Sequence, residues 1–174
     1  MAAVRFPEAG RLGLLILLGV VLQAVVTSRV IVLGVSADFF LIFTVLVALG
    51  KGSVWGALFG FAAGLVADIV YLEPVGLRAF IYVVLGYGVG RYSEEFGVGT
   101  AWSVVVVAAV AAFAAQVVYG LFQLTLGQES FFRMVREQMF PAALVDALVA
   151  APVYLVLVRL GLLEPPGGTG PSFK

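Results

Sequence analysis

The chain has 174 residues, of which 63% are hydrophobic and only 11% charged. Soluble domains carry about 25% charged residues, so no water-soluble fold could cover this much apolar side chain, and lipid must be the solvent. Ten basic residues balance ten acidic ones, which excludes the basic footprint of a nucleic-acid-binding protein. The sequence also lacks Cys and His, which removes disulfides, thiol chemistry, zinc sites, haem ligation and Ser–His nucleophiles. No cofactor and no metal are expected. Asn is absent too, as in thermophilic or compositionally biased proteomes.

A span needs about 20 mostly apolar residues, so the length allows six helices with short loops in an all-α integral membrane bundle. Helix 1 is predicted over 11–33. Arg5 and Arg11 before Leu12–Val26 have the look of a signal peptide, but no small-x-small cleavage site precedes Arg29 and more spans follow. The segment therefore reads as a retained helix. Ser36 and Asp38 supply an N-cap for helix 2, predicted over 38–50. Lys51-Gly52-Ser53 makes a tight turn into helix 3, over 53–70, and Pro74 and Gly76 break the chain before helix 4, over 77–90. Helix 4 would then be about 20 Å long against a hydrocarbon core of about 30 Å. Helix 2 is equally short, so both need cover from protein or a thinned bilayer.

Glu94, Glu95, Gly97 and Gly99 read as a polar loop before helix 5, over 101–126; helix 6 follows over 141–163 from Pro141, a favoured first-turn residue. Residues 1–163 thus form one transmembrane domain, with 164–174 a disordered tail. Between helices 5 and 6, Phe131, Phe132, Val135 and Met139 fall at helical spacing opposite Glu129, Arg133 and Glu137. This predicts an amphipathic helix lying on the membrane surface, as a lipid-facing loop or a partner-docking face. Six spans leave both termini on one side with six of the ten basic residues, which favours cytoplasmic termini.

The sharpest pattern is a glycine ridge at Gly52, Gly56, Gly60 and Gly64, one turn apart, with Asp68 next in the row. Small residues at this spacing let another backbone approach closely, which in lipid substitutes for the hydrophobic effect. Gly86 and Gly90 on helix 4 offer a matching face, as do Ala111 with Ala115 on helix 5 and Ala143, Ala147 and Ala151 on helix 6. The ridge serves either internal helix packing or a partner seam. An ionisable group inside a span is costly and points to the bundle interior or a partner. Asp68 and Arg78, on antiparallel helices near one membrane face, are predicted to form an ion pair, with Glu73 as a third member. Asp38 is expected to cap helix 2, and Asp146 to sit deep among alanines. Asp38, Asp68 and Asp146 could also form a proton relay, although no motif links them.

The order of these features resembles a known family. Gly34-Val-Ser-Ala-Asp38-Phe-Phe-Leu-Ile, Leu49-Gly-Lys51-Gly-Ser-Val-Trp-Gly56, Gly60-Phe-Ala-Ala-Gly64-Leu-Val-Ala-Asp68, Pro74-Val-Gly76-Leu-Arg78-Ala and Leu85-Gly86-Tyr87-Gly-Val-Gly90-Arg91 are similar to the rod shape-determining protein MreD family. Asp146-Ala-Leu-Val-Ala-Ala-Pro152-Val-Tyr154 resembles its last helix. Ala37, where the family often has Pro, and Asp146, where Asn is common, are departures. The resemblance implies a non-catalytic scaffold of the bacterial cytoplasmic membrane that works in cell elongation. Its implied partners are MreC, a single-span coiled-coil protein, with MreB, the RodA glycosyltransferase and a class B transpeptidase. It also implies a fold like the S-components of energy-coupling-factor transporters, and so an alternative as a vitamin-binding transporter subunit. Against that alternative, helix 1 lacks an Ala-rich face, with Ala only at position 24 between Leu12 and Val35. An intramembrane enzyme would need a nucleophile–base pair, and none is visible.

Overall fold

The computed structural model describes residues 8–27, 37–72, 75–97, 101–125 and 139–160. Six helices account for them: α1 (Glu8–Thr27), α2 (Phe39–Lys51), α3 (Ser53–Tyr71), α4 (Leu77–Phe96), α5 (Ala101–Thr125) and α6 (Phe140–Arg159). There is no strand among the described residues. Three helical stretches, Ser53–Tyr71, Trp102–Phe122 and Phe140–Arg159, are long and apolar enough to cross a membrane; Leu12–Ala24 and Phe39–Lys51 are shorter apolar helices.

The middle of the bundle is α2. Its residues from Phe39 to Leu49 are all buried, as expected of a helix that is hydrophobic on every side. Thr44, its one polar interior residue, donates its hydroxyl to the Phe40 carbonyl at 2.8 Å and so costs the core no unsatisfied group. Around α2 pack α1, α3, α4 and α5, with the tightest pairing between α3 and α4 and a second close pair formed by α5 and α6. Small residues make up much of the buried surface of both helices, with Ala108, Ala111, Ala112 and Ala115 buried on α5 and Ala143, Ala147 and Ala150 on α6.

The described helices differ most from the sequence reading at α4. That helix does not stop at residue 90 but continues to Phe96, for 20 residues, or about 30 Å. Glu94 and Glu95, read as loop from the sequence, lie in its last turn. Arg91 pairs with Glu94 at 3.5 Å and with Glu95 at 2.7 Å, the spacings at which opposite charges support a helix. Gly97, at φ +64°, then ends it with its N–H on the Ser93 carbonyl at 3.0 Å. Residues 28–33 of the predicted first helix, Phe131, Phe132 and Val135 of the amphipathic segment, Glu73, and the tail 164–174 lie outside the described residues. Met139, expected on the membrane-facing side of that segment, is instead buried at 1% exposure, against the start of α6.

Candidate functional site: carboxylates at three helix N-termini

The glycine ridge of α3 meets α4 backbone to backbone. A Cβ added at Gly56 would lie 2.5 Å from the Gly86 carbonyl oxygen and hard against Ala48 of α2. At Gly60 it would overlap the Tyr82 carbonyl, and at Gly64 the Ala79 backbone. From the other side, Gly86 abuts the Gly56 carbonyl and Gly90 abuts Ser53. Such overlaps are with main chain, which has no rotamer to turn away, so the two helices lie at a separation only glycine permits. The sequence-predicted ridge and its matching face are thus placed together, inside the molecule.

Neither helix of this pair has an ordinary local cap. Glycine occupies the N-cap position of both α3 (Gly52, φ +88°) and α4 (Gly76, φ +106°), and neither offers a side-chain acceptor. The first N–H groups of any helix need partners, and here each helix of the hairpin supplies them to the other. Asp68, at the end of α3 and 0% exposed, accepts from Gly76 N at 2.7 Å and Arg78 N at 3.0 Å at the start of α4. Glu94, at the end of α4, accepts from Ser53 N at 2.7 Å and Ser53 Oγ at 2.9 Å at the start of α3. The Ser53 N–H, helped by the Ser53 hydroxyl and Arg91, holds the Glu94 carboxyl below the usual carboxylate range. Ser93 completes this end by donating to the Leu49 carbonyl of α2 at 3.0 Å.

The N-terminus of α2 is capped by its own Asp38 and from two other helices. Asp38 accepts from Leu41 N at 3.2 Å, Gln23 of α1 from Phe39 N at 3.1 Å, and Asp146 of α6 from Asp38 N at 2.7 Å. Carboxylates here also complement the positive end of the helix dipole. The second oxygen of Asp38 receives Arg78 Nη1 at 2.9 Å and the Tyr82 hydroxyl. The Arg78 guanidinium lies over the rings of Tyr71, 4.2 Å from its centroid, and Tyr119, at 5.2 Å, where cation–π attraction replaces part of the lost hydration.

Asp68 and Arg78, expected as an ion pair, meet through the Arg78 backbone N–H, and the Arg78 guanidinium bonds Asp38 at the start of α2. Each Asp68 oxygen takes one N–H at the start of α4, from Gly76 and from Arg78, whereas the long Arg78 side chain extends to the carboxylate that caps α2. Asp38 is a cap, as expected, and also the ion-pair partner. Asp146 is buried as expected, at 1% exposure, and its Oδ2 has no hydrogen-bond partner. Gln23, Tyr82, Tyr119 and Glu94 were not singled out from the sequence; Tyr82 could have been, since it follows Arg78 by one helical turn.

Asp38, Arg78, Tyr82, Gln116 and Tyr119 border a cleft of about 20 Å³, space for about one water. Among the described residues no group of Asp or Glu is arranged to hold a metal ion.

The model of the family described as MreD, rod shape-determining protein MreD, matches residues 9–162. The chain belongs to the MreD family. No curated protein and no solved structure matches it. All the residues of the polar node and the glycine ridge fall inside the matched region. Membership places the protein in rod-shape determination, in a family that is structural rather than enzymatic. Its apolar helices fit a membrane protein.

Proposed function

We propose that this MreD-family chain is a non-catalytic scaffold of the bacterial cell-elongation complex. It would bind an MreC-like single-span coiled-coil protein and support side-wall peptidoglycan synthesis alongside MreB, RodA and a class B transpeptidase. It would cross the cytoplasmic membrane six times with both termini inside. The observation that carries the reading is where the buried polar groups are spent. Asp38, Asp68, Gln23 and Arg78 hold helix ends together, and the cleft beside them has space for about one water. That is the economy of a rigid platform.

Purification of the tagged chain from solubilised membranes tests this. Stoichiometric recovery of an MreC-like protein is expected, together with loss of rod shape on depletion. A chain that retains a small metabolite through purification and recovers no elongation protein would instead be a transporter subunit.

A further inference from the structure

The exposed aromatic side chains of the protein are sorted by depth. Among the described residues the exposed Trp and Tyr are Trp55, Tyr87, Tyr92 and Trp102, and Trp55 and Trp102 are the two tryptophans of the chain. They come from the start of α3, the second half of α4 and the start of α5, yet they gather at one end of the bundle. Gly56, beside Trp55, packs against Gly86, beside Tyr87, and Ser53 packs against Gly90. Tyr92 borders an apolar groove together with Val106, one turn along α5 from Trp102. At the same end stand Lys51, whose ammonium is 5.6 Å from the centroid of the Trp55 ring, and the Arg91–Glu95 pair. Farther along α3 and α4 the exposed hydrophobic side chains are aliphatic or Phe, as at Leu58, Phe61, Ile69 and Phe80.

We infer that these four rings form a belt in the headgroup layer of one leaflet, and that the belt holds the bundle at a depth where Asp38, Asp68 and Arg78 lie within the hydrocarbon thickness. Trp and Tyr favour the headgroup layer because it satisfies an apolar ring and a polar N–H or O–H together. From Tyr87 to Tyr92 the belt is about 8 Å deep, which matches a polar layer of about 5–8 Å on each side of a bilayer. Asp68 lies 13 residues along α3 from Trp55, or about 20 Å, against a hydrocarbon core of about 30 Å. Tilt of α3 shortens that depth and keeps Asp68 inside. Helix α6 gives the same depth independently. Its Asp146 bonds the Asp38 N–H, and the helix begins six residues earlier, at Phe140, so about 9 Å of helix stands on the far side of the polar groups. Helices α2 and α4 then begin at a level where lipid cannot satisfy their first N–H groups, and carboxylates from neighbouring helices do so instead. The inference rests on the membrane reading, and on nothing about partners.

The two tryptophans are built-in depth probes. The full chain is reconstituted without partners in vesicles of phosphatidylcholine brominated either near the headgroup or near the chain end, and quenching by the two lipids is compared. Trp55→Phe leaves Trp102 as the reporter, and Trp102→Phe leaves Trp55. Phe61→Trp and Ile69→Trp, on the lipid face of α3, are read with both native tryptophans replaced by Phe. Trp55 and Trp102 should be quenched about twofold or more in favour of the shallow bromines, and Phe61→Trp and Ile69→Trp by a similar factor in favour of the deep ones. Native tryptophans that follow the deep order, or that escape both lipids and are quenched by aqueous iodide, would overturn the belt. Ile69→Trp quenched in the shallow order would overturn the depth assignment, since its neighbour Asp68 would then stand at the far headgroup layer. Failure of the membrane reading itself would look different: Phe61→Trp would also be untouched by either lipid and open to iodide.

Discussion

The two ends of the α3–α4 hairpin solve one problem in different media. At each end a carboxylate from one helix satisfies the first N–H groups of the other, because glycine stands at both N-cap positions. Glu94 does so at the water-facing end, with its side chain 40% exposed and Arg91 beside it. Asp68 does so out of contact with solvent, next to the Asp38–Arg78 pair, whose side chains are 10% and 17% exposed. Exposed charge pairs contribute about 0–1 kcal/mol, whereas leaving a buried partner uncompensated costs about 3–5 kcal/mol. The same bonding pattern is therefore a modest clasp at one end and a structural keystone at the other.

The largest effect should come from breaking the buried end. Asp38→Ala removes the α2 cap and the carboxylate shared by Arg78 Nη1 and the Tyr82 hydroxyl, and should destabilise the detergent-solubilised protein by about 3–5 kcal/mol, read as the unfolding midpoint in a denaturant series. A loss no larger than that of a surface substitution would erase the distinction between the ends. Next comes the ridge that brings the ends into register. Gly60→Ala and Gly64→Ala drive a methyl into the α4 backbone and should cost about 1–3 kcal/mol. Gly88→Ala, where a Cβ meets nothing within 4 Å, should be neutral or stabilising by up to about 1 kcal/mol. Equal effects at Gly60 and Gly88 would mean that the close approach carries no energy.

Asp146 sharpens the comparison further. Asp146→Asn keeps an acceptor for the Asp38 N–H and should leave stability within about 0.5 kcal/mol of the parent. Asp146→Leu leaves that N–H unpaired and should cost about 1–3 kcal/mol. The smallest effect belongs to the exposed clasp. Because the folded Glu94 carboxyl is held below its ordinary value of 4.5, its contribution is fully present at neutral pH. It is lost as pH falls through the folded value, since the unfolded state then binds the proton more readily. Thermal scans of the parent and of Glu94→Gln should differ slightly at pH 7 and converge at the acid end. A gap that widens on acidification would reverse the sign and contradict the clasp.

Much of this was legible before any coordinates. The apolar runs fix six helices because lipid leaves helices as the way to satisfy their backbones, and the four-residue spacing of Gly52, Gly56, Gly60 and Gly64 announces a close approach. Asp38 and Asp146 stand out as carboxylates in apolar surroundings. What sequence spacing could not supply was partner choice. Asp68 and Arg78 are ten residues apart and do touch, yet whether an arginine spends its backbone or its guanidinium on a neighbour depends on which other acceptor lies within reach. Asp38, forty residues away, is that acceptor. Glu94 was hidden for a related reason: a run of charge and glycine reads as loop until the Arg91 pairings and the distant Ser53 N–H are known to need it as helix.

The account turns on Arg78 being paired with Asp38 through its charge and meeting Asp68 through its backbone N–H. A double-mutant cycle measures this directly. Unfolding free energies are compared for Arg78→Met, Asp38→Asn and Asp68→Asn, singly and in the two pairs that include Arg78. The Arg78–Asp38 pair should show a coupling of at least about 1 kcal/mol, and the Arg78–Asp68 pair should be additive to within about 0.5 kcal/mol. Strong coupling of Arg78 to Asp68, with additivity at Asp38, would contradict it.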